Sequence, residues 1–232
     1  MNAKNLSRRL AKVASYVQQD AILADIGSDH AYLPCWLVQN GTIRKAVAGE
    51  VVRGPFESAS RTVEKEGLAD RITVRFADGL LAIEPDDGVT VITIAGMGGT
   101  LIASILAAAP DRLEGVTRLI LQPNLHAKAI REWAVGNGWK VTEEAILKED
   151  RKLYEVLVLE RGMVRYSEEE LLMGPFLMKE PAAAFREKWE GELTELTRVC
   201  AALDASAKTD ESIEKRRQLG ETKQLIERVL QQ

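Results

Sequence analysis

The sequence predicts an α/β fold, a mostly parallel, doubly wound sheet followed by a helical hairpin. Three observations carry this. Short apolar runs alternate with helix-spaced segments as far as Gly162. The last two strand-like runs are separated by only a few polar residues, too few for a crossover helix. Beyond Gly162 the strand pattern stops, and two long stretches place apolar residues at steps of three and four.

Taken in order, residues 5–18 put Leu6, Leu10, Val13, Ala14 and Val17 on one helical face. AILADIG (21–27) is a strand entering a loop. AYLPCWLVQNG (31–41) is a helix, with Pro34 tolerated in its first turn and Gly41 just past its end. KAVAGEV (45–51) is a strand, PFESASRTVEKEG (55–67) a helix and ITVRFADG (72–79) a third strand. GVTVITIAGMGG (88–99) is strand plus loop, and TLIASILAAAP (100–110) the helix after it. TRLILQPN (117–124) and HAKAIREWAVGNG (126–138) repeat the pattern. WKVTEEAILKED (139–150) and KLYEVLVLERG (152–162) should then pair as an antiparallel hairpin at one sheet edge. Seven strands ending in such a hairpin are the plan of the Rossmann-like methyltransferases, not of six-stranded dehydrogenases.

Residues 182–203 carry Phe185, Trp189, Leu193, Leu196, Cys200 and Leu203 as one apolar seam on a charged helix. DASAKTDES (204–212) reads as a polar turn, and Leu219, Leu225, Ile226, Val229 and Leu230 mark a second helix. The pair is predicted as an antiparallel, coiled-coil-like hairpin.

A chain of 232 residues with 46% hydrophobic composition can bury a full core and still carry a small appendage. Cys35 and Cys200 lack metal-ligand spacing, and two histidines are too few for a His-rich centre, so no metal is expected. Two buried, reduced thiols suit the cytosol. The N-terminal stretch has no apolar core, and no run approaches the roughly 18 residues of a membrane span, so a soluble, cytoplasmic chain is expected. A net charge of −4 argues against an unspecific nucleic-acid binder. The first helix is nonetheless basic, with Lys4, Arg8, Arg9 and Lys12 against Asp20 alone.

Ligands of a doubly wound sheet sit beyond the carboxyl ends of its strands. Glu50, ending the second strand, offers two oxygens to the adjacent hydroxyls of a ribose. Asp78, before Gly79, is either part of a simple Asp-Gly turn or, as the end of the third strand, an acceptor for an adenine amino group. A dinucleotide would need several glycine-exposed N–H groups for its pyrophosphate and would be repelled by Asp25 and Asp29. S-adenosylmethionine has no phosphate and carries a sulfonium and an ammonium, so acids and the single close-approach glycine Gly27 suit it. The predicted donor site is Asp25, Ile26, Gly27, Ser28, His30, Glu50, Val51, Asp78, Gly79, Ala95, Gly96, Met97 and Gly98.

ADIGSDHAYLP, AGEVVRGPFESA, ITIAGMGG, LILQPN and LYEVLV, in this order, resemble the bacterial tRNA (adenine(22)-N1)-methyltransferase family. GPFLMKEP and the helices after it extend the resemblance over nearly the whole chain. It implies S-adenosylmethionine as donor and N1 of a D-arm adenine in tRNA as acceptor. The change of pattern after Gly162 divides the chain into a Rossmann-like S-adenosylmethionine-binding catalytic domain at 1–162 and a helical hairpin domain at 163–232, which the resemblance implies holds the tRNA.

Adenine N1 is neutral with an in-plane lone pair, so alignment should dominate catalysis and no general base is called for. An acceptor beside the exocyclic amino group would act more strongly as the base becomes cationic. Asp29 is the candidate; alternatively it caps the helix beginning near Ala31, and the two roles can coexist. Asn124 is either a second receiver of the base or a helix cap. His30 should line the donor pocket, Tyr32 stack on a base or pack its helix, and Met97 wall the transfer site. Arg8, Arg9, Lys12, Tyr32, Arg53, Arg61, Lys128 and Arg131 are the predicted tRNA contacts. The C-terminal hairpin either grips the tRNA or oligomerises the chain, which is expected as a monomer or weak dimer. A methyltransferase acting on a small molecule or another RNA is the alternative function, and a non-catalytic RNA-binding module a further one.

Overall fold

The computed structural model describes residues 2–206 and 209–231, which divide into two compact units between Val164 and Arg165. The first unit is a seven-stranded sheet of order β3-β2-β1-β4-β5-β7-β6. Its strands are β1 (Ile22–Ile26), β2 (Lys45–Glu50), β3 (Ile72–Phe76), β4 (Val91–Gly98), β5 (Arg118–Leu125), β6 (Trp139–Glu149) and β7 (Lys152–Arg161). β1 to β5 pair in parallel, while β7 runs antiparallel to both β5 and β6. The order reverses between β1 and β4, which opens a crevice at their carboxyl ends.

The helices are α1 (Arg8–Ala14), α2 (Tyr32–Gln39), α3 (Arg53–Lys65), α4 (Gly99–Ala108) and α5 (Ala127–Gly136). Apolar residues buried from both faces make the central strands: Leu23 and Ala24 on β1, Ile92 and Ile94 on β4, and Leu119 to Leu121 on β5. α1 is shorter than the periodic stretch 5–18 because Ser7 caps it, its Oγ accepting from Leu10 N at 3.2 Å. β3 stops at Phe76, so Asp78 lies two residues past the strand it was expected to end. β5 runs through Asn124, which therefore belongs to a strand.

The second unit holds α6 (Glu168–Met173), α7 (Ala183–Ser206) and α8 (Asp210–Leu230). Phe185, Trp189, Cys200 and Ile226 are buried, as the seam requires. Arg216 on α8 donates to Asp204 on α7 at 2.8 Å, and Arg228 reaches Glu169 on α6 at 2.6 Å. The predicted turn at 204–212 is narrower than its polar composition suggested, because α7 continues to Ser206 and α8 begins at Asp210; Ala207 and Lys208 lie outside the described residues. Among the described residues no helix is long and apolar enough to cross a membrane. None of them forms a cluster of three or more His, Cys, Asp or Glu suited to a metal ion.

Candidate active site

The crevice at the switch point holds a pocket of about 480 Å³, within the usual range for a small-molecule site. Every predicted donor residue except Gly98 lines it, as do Asp29 and Tyr32. Arg9, Leu10, Leu33, Val52, Pro55, Leu101 and Ile105 complete most of the wall.

Asp25 is 4% exposed and anchored by two hydroxyls, Thr93 Oγ1 and Ser28 Oγ, each donating at 2.6 Å. Burial pushes its carboxyl up to about 6 despite those bonds. Gly27 turns the chain at φ +70°, its N–H donating to Gly49 O at 2.9 Å. That left-handed backbone favours glycine, and a Cβ there would also displace the Met97 methyl, which packs against it from the bulged end of β4.

Glu50 is also buried, and one carboxylate oxygen accepts the backbone N–H of Asp29. Burial raises its pKa, with that N–H working in the opposite direction. The bond holds Asp29 in the left-handed region, φ +58°. The carboxylate of Asp29 is 63% exposed and 3.5 Å from His30 Nε2. Capping is not its role: the position before α2 is Ala31, itself left-handed, and no side chain caps that helix. His30 Nδ1 bonds Ser58 Oγ on α3, and its ring stacks on Tyr32 at 5.0 Å between centroids.

Asn124 is not a cap either, since α5 begins after His126 without a side-chain cap. Its Nδ2 donates to Gly96 O at 2.7 Å and pins the bulged end of β4 from outside the pocket lining. Gln122 joins it: fully buried, its Oε1 accepts from Gly96 N at 3.0 Å and from the Arg9 guanidinium. Sequence reasoning gave Gln122 no role. The available signal was an amide at the end of an apolar run, where a buried polar group must find partners.

The basic residues fall into three groups. Arg8 is exposed, and Lys12 lies 4.4 Å from the Tyr16 ring centroid. Arg53 and Arg61 are exposed and share Glu57 at 3.1 and 4.0 Å, while Lys128 is 3.6 Å from Glu132. Arg9 points into the pocket and not outward from α1. Arg131 corrects the expectation outright: it is fully buried, 2.6 Å from Glu144 and 2.7 Å from Glu155, so no phosphate can reach it. It shares the inward stripe of α5 with Ala127, Ile130 and Ala134.

The site fits S-adenosylmethionine. Four carboxylates face a cationic guest, and the glycine triplet of a dinucleotide site is missing. Comparison with known proteins gives the same direction. The family model described as tRNA (adenine(22)-N(1))-methyltransferase matches residues 23–228. A Bacillus subtilis protein named tRNA (adenine(22)-N(1))-methyltransferase is 47% identical over 99% of both chains. The crystal structure of the B. subtilis m1A22 tRNA methyltransferase TrmK superposes with a TM-score of 0.93 at 45% identity, covering 97% of this chain and 99% of that one. A Streptococcus pneumoniae protein solved in complex with S-adenosyl-L-methionine gives a TM-score of 0.89 at 46% identity, over 97% and 100% of the two chains. The acid-lined crevice, the sheet order and the match across residues 23–228 place this chain in the tRNA (adenine(22)-N(1))-methyltransferase family.

Proposed function

We infer that this protein transfers a methyl group from S-adenosylmethionine to N1 of the adenine at position 22 in the D-arm of tRNA, a reading carried by the acid-lined pocket at the switch point of a chain in this family. When bound, the donor supplies an electrophilic sulfonium methyl. Glu50 would hold the ribose hydroxyls, Asp78 the adenine amino group, and Asp25 and the Gly27 loop the cationic end.

Asp29 would act on the acceptor. Its backbone is fixed by Glu50, while its carboxylate stands exposed at the pocket rim. There it can accept from the exocyclic amino group of the incoming adenine, a bond that strengthens as the base gains positive charge. No side chain need remove a proton for attack, because N1 has a free lone pair. Asn124 contributes by holding Gly96, and Met97 by walling the pocket beside Gly27.

A paired N1 is hidden, so the target adenine must be unpaired or extruded. The exposed Arg8, with Lys12, Arg53, Arg61 and Lys128, would take tRNA phosphates, and the helical unit after Val164 would hold the tRNA body. The protein would work in the cytoplasm as a monomer or weak dimer. Nucleoside mass spectrometry on tRNA transcripts incubated with the donor tests the whole reading. One 1-methyladenosine should form on a transcript with adenine at the target position, and none on a transcript with guanine there. Methylation of both, or of neither, would refute it.

A further inference from the structure

The β6–β7 hairpin is longer than its attachment to the sheet. β7 pairs with β5 only from Arg118↔Glu160 to Leu121↔Leu157. Beyond that point five residue pairs, from Ala145↔Val156 to Glu149↔Lys152, join β6 and β7 to each other alone. At the usual rise per residue they make an arm of about 15 Å. β5 and β6 both run antiparallel to β7, so the tip of the arm lies on the side of the sheet that holds the pocket. The arm also borders that pocket. Arg9, one of its lining residues, has its guanidinium carbon 5.3 Å from the centroid of the Tyr154 ring on β7.

The tip carries cations. Lys148, Arg151 and Lys152 are exposed on it, and Arg8 is exposed where α1 meets it. The acids there are Glu149 and Asp150. The Glu149 carboxylate accepts the backbone N–H groups of Arg8 and Arg9. Among the described residues Arg8, Asp150, Arg151 and Lys152 make no ion pair. Arg53, Arg61 and Lys128, by contrast, each face a carboxylate on their own helix.

The turn singles out Arg151. Asp150 and Arg151 have φ of +48° and +64°, and positive φ at both central residues marks a type I′ turn. Glycine takes the second of these positions with least strain. An arginine in this place strains the backbone, and within the fold its side chain finds no charged or aromatic partner that would offset the strain.

We propose that the β6–β7 arm is a phosphate clamp for the acceptor: Arg151 and Lys152, with Arg8 on α1, hold the tRNA backbone next to the nucleotide whose base enters the pocket. The proposal rests on the tRNA reading above. In a chain of net charge −4, exposed and unpaired cations on a tight turn are where a polyanion can settle. The rival occupant is an acidic protein surface. The border with the pocket favours the substrate.

Two sets of variants test this, read by tRNA binding across a salt series, thermal melting and S-adenosylhomocysteine calorimetry. Arg151→Gly relieves the turn and should melt no lower than the wild type, while the salt slope of tRNA binding falls by about one. Arg151→Gln with Lys152→Gln should lower the slope by about two, with S-adenosylhomocysteine affinity changed less than about twofold. Placement is read with an iron chelate tethered to an Asp150→Cys variant, since both native thiols are buried. Its hydroxyl radicals should cut the tRNA backbone in the D-arm. An unchanged salt slope in both sets of variants would overturn the proposal and leave the cations to another partner. So would cutting confined to the acceptor or anticodon arm, or Arg151→Gly protein that melts lower and loses S-adenosylhomocysteine binding. Wild-type protein that binds no tRNA would overturn the tRNA reading itself, and the clamp with it.

Discussion

Two clusters of buried charge in the first unit are built in opposite ways. Beside the β6–β7 hairpin, Arg131 lies between Glu144 and Glu155, and each buried carboxylate has its cation at under 3 Å. At the carboxyl ends of β1 and β2, Asp25 and Glu50 are equally hidden but held only by hydroxyls and backbone N–H groups. Neither makes an ion pair with lysine or arginine among the described residues. Burial raises the pKa of both. In the first cluster the desolvation of charge is offset within the fold; in the second it is left for a cationic guest to offset. Arg131 is architecture and Asp25 is a site, although both are charged residues inside one sheet protein.

The strongest way to break this contrast is to remove the compensating cation. Arg131→Met leaves two buried carboxylates without a partner and should destabilise the protein by about 3–5 kcal/mol. Urea unfolding measures it, and a loss under about 1 kcal/mol would make the triad no more than a surface pair.

Asp25 should behave in the opposite sense. Its carboxyl titrates near 6 in the fold against an ordinary 3.8, so between those values the native state holds a proton that the unfolded chain has released. Stability of the ligand-free protein should therefore fall as pH rises from about 4 to about 6, by about 3 kcal/mol at most. Asp25→Asn should flatten that slope. A cationic donor favours the ionised carboxylate, so its affinity should drop on acidification through pH 6 in the wild type and not in Asp25→Asn. Thermal melts and calorimetry from pH 4 to 7 read both; a pH-independent wild type would remove Asp25 from the contrast.

Asp29 sharpens the comparison because its carboxylate, unlike that of Asp25, is exposed. Asp29→Asn should lower the single-turnover rate of methyl transfer about 10²-fold with tRNA saturating, and leave S-adenosylhomocysteine affinity nearly unchanged. A wild-type rate would show that the position serves only the bend of the loop.

The smallest effect is expected outside both clusters. Replacing Arg8 and Lys12 by Gln should reduce the salt dependence of tRNA binding by about one unit of slope per contact, with donor affinity constant. An unchanged slope would make them merely solvated.

Much of this was legible in the chain itself, because periodicity and turn chemistry are local. The alternation of strands and helices, the terminal hairpin and the apolar seam through Phe185, Trp189 and Cys200 follow from spacings of two, three and four residues. The pocket was legible for a related reason. A doubly wound sheet brings its strand ends together, so acids at those ends share one crevice wherever the helices between them lie. What the sequence could not show is which distant group answers which charge. Arg9 and Gln122 are 113 residues apart, and Arg131 reads as a basic residue on a polar helix until Glu144 and Glu155 close over it. Capping was one of the two readings open for Asp29, because caps precede helices, but Glu50 takes its N–H and α2 starts without a side-chain cap. By itself the sequence determined the fold, the sign of the pocket's charge and the ligand that suits it. The tertiary structure decided which of its charges are spent on one another and which stand open, since desolvation and pairing depend on neighbours that only folding supplies.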